Sequence, residues 1–88
     1  MTYMLIKHKV EDFAKWKAAF DAHDPARRKA EIKALHVLRE VNDPNNVFVL
    51  CEAKDIAKAN ALSASSETKE IVKRAGVIGQ PEVYFLRE

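Results

Sequence analysis

Val47-Phe48-Val49-Leu50-Cys51-Glu52-Ala53 is the stretch on which the fold turns. It is β-branched and apolar on both alternating faces until Glu52, the pattern of a central strand covered on two sides. Asn42-Asp43-Pro44-Asn45-Asn46 comes just before it and carries turn chemistry: proline sets φ, and asparagine tolerates the left-handed region. Before that, Lys33 to Val41 reads as a second strand, so the three segments together predict a β-hairpin. With all of Asn42–Asn46 in the loop, Val41 pairs with Val47 and His36 falls opposite Glu52 on one face. A loop of even length would instead put Arg39 opposite Leu50.

Working outward, Asp55 caps an alanine-rich helix from Ile56 to about Leu62. Ser63-Ala64-Ser65-Ser66 breaks it, and Ser65 or Ser66 caps a continuation to Ala75. Glu67 in the first turn, Lys73 and Arg74 in the last, and Gly76 just beyond complement the helix dipole and supply the C-terminal stop. Gly79-Gln80-Pro81 reads as a loop, and Val83 to Arg87 as the last strand. Toward the N-terminus, Asp12 caps a helix running to about His23. Phe13, Trp16 and Phe20 share one stripe of that helix. Pro25 then opens a further turn through Ala26–Ala30. Thr2 to Val10 is the first strand.

The order β-α-β-β-α-β is the split βαβ arrangement of an α+β, ferredoxin-like fold: an antiparallel four-stranded sheet with its helices on one face. The strands are apolar on both faces. Phe48 and Leu50 alternate with Val49 and Cys51, Tyr84 and Leu86 with Val83 and Phe85, and Met4 and Ile6 with Tyr3 and Leu5. One layer of helices covers one face only, so a second copy of the sheet is expected on the other, giving a homodimer. The chain's 88 residues fit one domain, and a core that small gains from oligomerisation.

Composition narrows the function classes. Hydrophobic residues at 48% and charged residues at 32% are globular values, away from the disordered class. A net charge of +2, with Arg27-Arg28-Lys29 followed closely by Glu31 and no aromatic platform, reads as a solvated helix end; no nucleic-acid partner is expected. No apolar run approaches the ~20 residues of a membrane helix. Together with a lone cysteine, this leads to the expectation of a cytoplasmic protein without a membrane partner.

His8-Lys9-Val10-Glu11-Asp12-Phe13-Ala14-Lys15-Trp16-Lys17 with Phe20-Asp21, Asp43-Pro44-Asn45 between the hairpin strands, and Ala75-Gly76-Val77 before Pro81 carry a family resemblance. The chain resembles the small dimeric α/β-barrel proteins grouped with antibiotic-biosynthesis monooxygenases, particularly the short monooxygenase- or cyclase-like members. The likeness spans nearly the whole chain. It implies a dimer with a ligand-sized cavity between sheet and helices. Haem-degrading relatives place a histidine ligand in the second half of the domain. This chain has no histidine after His36, so the resemblance points away from haem.

His8, His23 and His36 form no short chelating motif, and neither a CxxC pair nor a glycine-rich phosphate loop occurs. No metal or cofactor is therefore expected. Cys51, in the middle of an apolar strand, reads as a buried, inert thiol. The polar residues best equipped for proton transfer are His36, Glu52 and His8, since histidine titrates near neutrality and a carboxylate can hold the imidazolium. Trp16, Phe20, Tyr3, Phe48 and Tyr84 are the candidate walls for a hydrophobic ligand. Arg39 is either a rim charge or an anion anchor. Two functions fit these residues: a cofactor-independent monooxygenase or cyclase-like enzyme acting on an aromatic or polyketide-like molecule, and a non-catalytic small-molecule-binding or stress-associated dimer.

Overall fold

The computed structural model describes residues 1–88. Its elements are β1 (Thr2–Val10), α1 (Phe13–Ala22), α2 (Asp24–Lys29), β2 (Ile32–Glu40), β3 (Asp43–Ala53), α3 (Ile56–Ala64), α4 (Ser66–Arg74) and β4 (Val77–Arg87). The four strands form one antiparallel sheet in the order β2-β3-β1-β4. The chain thus has the expected ferredoxin-like arrangement, each of its two helical segments being split in two.

Local chemistry explains the splits. Asp12 Oδ1 accepts from the Ala14 N–H at 3.0 Å and starts α1. Pro25 occupies the first turn of α2, where its missing N–H costs no hydrogen bond. Asp55 accepts from the Lys58 N–H to cap α3, and Ser65 Oγ accepts from the Thr68 N–H to cap α4. Each such cap contributes about 1 kcal/mol. Past α4 the chain leaves through Gly76 at φ +83°, a conformation that favours glycine.

One face of the sheet packs on the helices. Met4 and Val10 of β1, Val47, Val49, Cys51 and Ala53 of β3, and Ile32 of β2 are buried there with Trp16 of α1 and Ala59 of α3. Strand alternation places Tyr3 and Leu5, His36 and Leu38, Phe48, Leu50 and Glu52, and Tyr84 and Leu86 on the opposite face. That face has no helix over it, and Leu38, Tyr84 and Leu86 are each about half exposed.

Two segments differ from expectation. The hairpin loop is not Asn42–Asn46: Glu40 pairs with Asp43 across a tight turn, and β3 already begins there. Pro44, Asn45 and Asn46 lie in a bulge before Arg39 pairs with Val47. Asp43 Oδ1 accepts from the Asn45 N–H and the Pro44 carbonyl accepts from Arg39 Nε, so the turn-forming residues bend the strand rather than interrupt it. Likewise Gly79-Gln80-Pro81 is not a loop. β4 runs from Val77, and these three residues bulge opposite His8, between the pairs Lys7–Glu82 and Lys9–Ile78. Gly79 takes φ +73°, and proline is tolerated because β4 is an edge strand.

Candidate functional site

A cavity of about 150 Å³ lies between the helix-covered face of the sheet and the helices. Its floor is Met4, Ile6, His8 and Val49, and its walls include Trp16 and Phe20 of α1 and Ile71 of α4. The lining is mostly apolar. His8, His23, Arg27, Ser63 and Thr68 supply its polar groups, and no aspartate or glutamate is among the lining residues. The volume matches a void that holds one benzene-sized molecule.

His8 is 8% exposed, and neither of its ring nitrogens has a hydrogen-bond partner. Its position follows from the fold: Val47 sits beside it on β3, the β4 bulge lies on its other side, and the Trp16 indole is 5.0 Å away, centroid to centroid. Burial pushes its pKa down to about 4, so the imidazole is neutral at physiological pH. A buried polar side chain without a partner costs about 1–3 kcal/mol. A ligand donor or acceptor reaching His8 would remove that cost.

Arg27 is the second buried polar residue, at 6% exposed. One of its amino groups donates to the Phe20 carbonyl at 2.6 Å, and the guanidinium lies 3.7 Å from the centre of the Phe20 ring. Its Nε donates to nothing. Burial lowers its pKa, and Asp24 opposes that shift. Phe20 in turn stacks on Trp16 at 4.9 Å, so Trp16, Phe20 and Arg27 form a continuous stack along one wall, with the tilted His8 ring at its foot on the floor. At the helix junctions, His23 Nε2 meets Thr68 Oγ1 at 3.3 Å, and Ser65 Oγ donates to the same oxygen at 2.9 Å. This ties the end of α1 to the start of α4.

The residues singled out in the sequence divide between the two faces. His8, Trp16 and Phe20 meet at the cavity. His36, Glu52, Tyr3, Phe48 and Tyr84 lie on the other face. His36 and Glu52 are not cross-strand partners: His36 pairs with Leu50, and Glu52 with Lys33. The tight turn shifts the register, and a bulge at Leu35 shifts it again, so the two share a face without forming the expected dyad. The Tyr3 hydroxyl donates to Glu88 Oε1 at 3.3 Å, and the Tyr84 hydroxyl to Glu82 Oε2. The Glu88 carboxylate raises the Tyr3 pKa. Arg39 is a rim residue, 4.0 Å above the Phe13 ring and bonded to the Pro44 carbonyl. No cluster of three or more His, Cys, Asp or Glu side chains stands close enough to hold a metal ion.

Of the polar lining residues, His23, Arg27, Ser63 and Thr68 are not among the sequence candidates, and Arg27, which reads in sequence as part of a solvated helix end, is the charged one. Phe13, Trp16, Phe20, His23 and Arg27 alternate spacings of three and four, so the apolar stripe of α1 continues past Pro25 onto Arg27. That continuation was the available signal.

Comparison with solved structures shows the same fold throughout. An antibiotic biosynthesis monooxygenase superposes with a TM-score of 0.68 at 14% identity, covering 100% of this chain and 98% of that one. A conserved protein from Methanosarcina mazei Go1 superposes at 0.72 with 19% identity, covering 99% and 91%. SnoaB, a cofactor-independent oxygenase from Streptomyces nogalater, superposes at 0.70 with 13% identity, covering 99% and 91%. No protein-family model matches the chain, and no curated protein matches it in sequence. The chain therefore has the ferredoxin-like fold of the antibiotic biosynthesis monooxygenase-like proteins.

Proposed function

We propose that this chain is a cofactor-independent monooxygenase acting on an apolar small molecule with an acidic C–H or phenol, and that His8 is its general base. The observation that carries this reading is the buried, neutral, unpartnered imidazole on the floor of an apolar cavity. The fold shared with SnoaB supports the same reaction class.

The chemistry balances without a resident cofactor. His8 takes a proton from an activated CH₂ group and leaves a carbanion beside the new imidazolium, and each charge stabilises the other in a shielded site. The carbanion adds dioxygen to give a peroxide anion, which recovers the proton from His8. The hydroperoxide then loses water to form C=O, so one CH₂ and one O₂ become one ketone and one H₂O. Trp16 and Phe20 provide flat surfaces against which an aromatic substrate can stack. The test is oxygen uptake with 1,3-diketones and hydroquinones. His8→Gln should reduce turnover about 10²- to 10⁴-fold while ligand affinity changes little. Undiminished turnover in that variant would exclude His8 as the base.

A second reading is a non-catalytic binding protein using the same cavity. It is favoured by one feature: no carboxylate lines the cavity to orient His8 or to hold its charged form. Saturable binding of many ring compounds, with oxygen uptake for none, would select it.

The homodimer belongs to the same proposal. Phe48, Leu50, Leu38, Tyr84 and Leu86 form an apolar surface on the helix-free face, and a second copy buries it through one self-complementary contact. The catalytic cavity lies on the other side of the sheet and is complete within one chain.

A further inference from the structure

We propose that Arg27 makes the cavity selective for one-ring organic anions, with a carboxylate or phenolate of the ligand seated against its guanidinium and the ring lying along Trp16 and Phe20. This takes the cavity to be the substrate site, and so rests on the reading above while naming the substrate class.

Three observations support it. The first is charge. Arg27 carries the permanent charge among the lining side chains, and no lining carboxylate neutralises it. Its partner outside the cavity, Asp24, is shared. Asp24 Oδ1 lies 3.3 Å from Arg27 Nη2, while Asp24 Oδ2 lies 2.8 Å from Arg28 Nε. One carboxylate thus serves two guanidinium groups and sits closer to the exposed one.

The second is an unused donor. Arg27 is 6% exposed, yet its Nε has no acceptor, so a buried N–H of a charged group is left unpaired in a residue that borders the void. An anionic oxygen forms its strongest hydrogen bonds with such a donor. The third is size. A cavity of about 150 Å³ admits one aromatic ring, and the polycyclic substrates that an aromatic-polyketide reading suggests exceed that volume.

The experiment is a calorimetric titration of the intact protein at pH 7 with benzoate, benzamide and 2-anthracenecarboxylate. Benzamide keeps the shape of benzoate without its charge, and the anthracene acid keeps the charge without its size. Benzoate should bind about 10- to 100-fold more tightly than benzamide, the difference a charge-assisted hydrogen bond in a shielded site supplies. It should also exceed the three-ring acid by at least about tenfold. Arg27→Met should abolish the preference for benzoate over benzamide, and Arg27→Lys should retain part of it. Equal affinity for benzoate and benzamide in the unaltered protein would overturn the proposal, even if the Arg27→Met variant failed to fold. So would a benzoate preference that survives in Arg27→Met. Binding is measured here without turnover. Anion selectivity in a protein that consumes no oxygen would uphold this inference against the oxygenase reading, and oxygen uptake without anion selectivity would do the reverse.

Discussion

The imidazole of His8 lies 5.0 Å from the Trp16 indole, tilted 50° to it, and the pair joins the floor of the sheet to the first helix. The indole excludes water from His8 and offers it no hydrogen bond through its face, so the histidine is both dry and unpaired. These conditions keep the imidazole unprotonated, and its strength as a base depends on the negative charge that develops on a ligand beside it.

That arrangement sets a pH dependence of stability. Above pH 6.5 His8 is neutral in folded and unfolded chains alike, and its contribution is complete. As the pH falls from 6.5 toward 4, the unfolded chain takes up a proton that the folded chain refuses, and stability is lost across that window. Allowing for screening by water at the cavity mouth, the loss is about 2–3 kcal/mol. Urea unfolding at pH 7.5 and 4.5 should show this drop in the unaltered protein and a drop smaller by about that amount in His8→Gln. An identical drop in both proteins would remove His8 as its source.

Cys51 should be inert in the native state. Its thiol is fully buried, and burial pushes its pKa up to about 11, against an opposing effect from Arg27. Thiolate is therefore scarce at pH 8. Labelling by an aromatic disulfide reagent should be slow in buffer and complete within minutes in denaturant. Rapid labelling of the folded chain would contradict this packing.

Leu86→Asp should yield a folded monomer. Leu86 is 45% exposed within one chain, so a charge there is tolerated by the protomer and resisted only by a partner sheet. Light scattering should give twice the chain mass for the unaltered protein and the single mass for the variant, with similar circular dichroism. An unaltered protein that stays monomeric at micromolar concentration would end the dimer proposal.

The parts of the fold legible in sequence were those governed by short-range chemistry. Asp12, Asp55 and Ser65 announce helix starts because a side-chain oxygen within reach of free N–H groups needs no tertiary partner, and Gly76 marks a stop for a similar reason. The first strand was readable from the apolar Tyr3–Ile6 and from the helix start at Asp12 that closes it. Pro44 and Pro81 misled because proline and asparagine favour turns and strand bulges alike, and only the neighbouring strand decides between them. The expected His36–Glu52 dyad depended on the length of the hairpin loop and failed with it. His8, Trp16 and Phe20 came together because strand alternation and helical spacing set their faces independently of register. Arg27 was hidden by its charge: its burial comes from stacking on Phe20 and bonding the carbonyl at the end of α1, which composition does not reveal.

The helix-covered cavity with His8 at its floor, rather than the face that carries His36, is the proposed functional site. Histidine side-chain NMR during titration with benzoate tests this most directly. The His8 resonances should shift saturably while those of His36 stay in place, and His8→Gln should remove the shifting signal. Saturable movement of His36 with His8 unmoved would place the site on the helix-free face of the sheet and rule out the cavity.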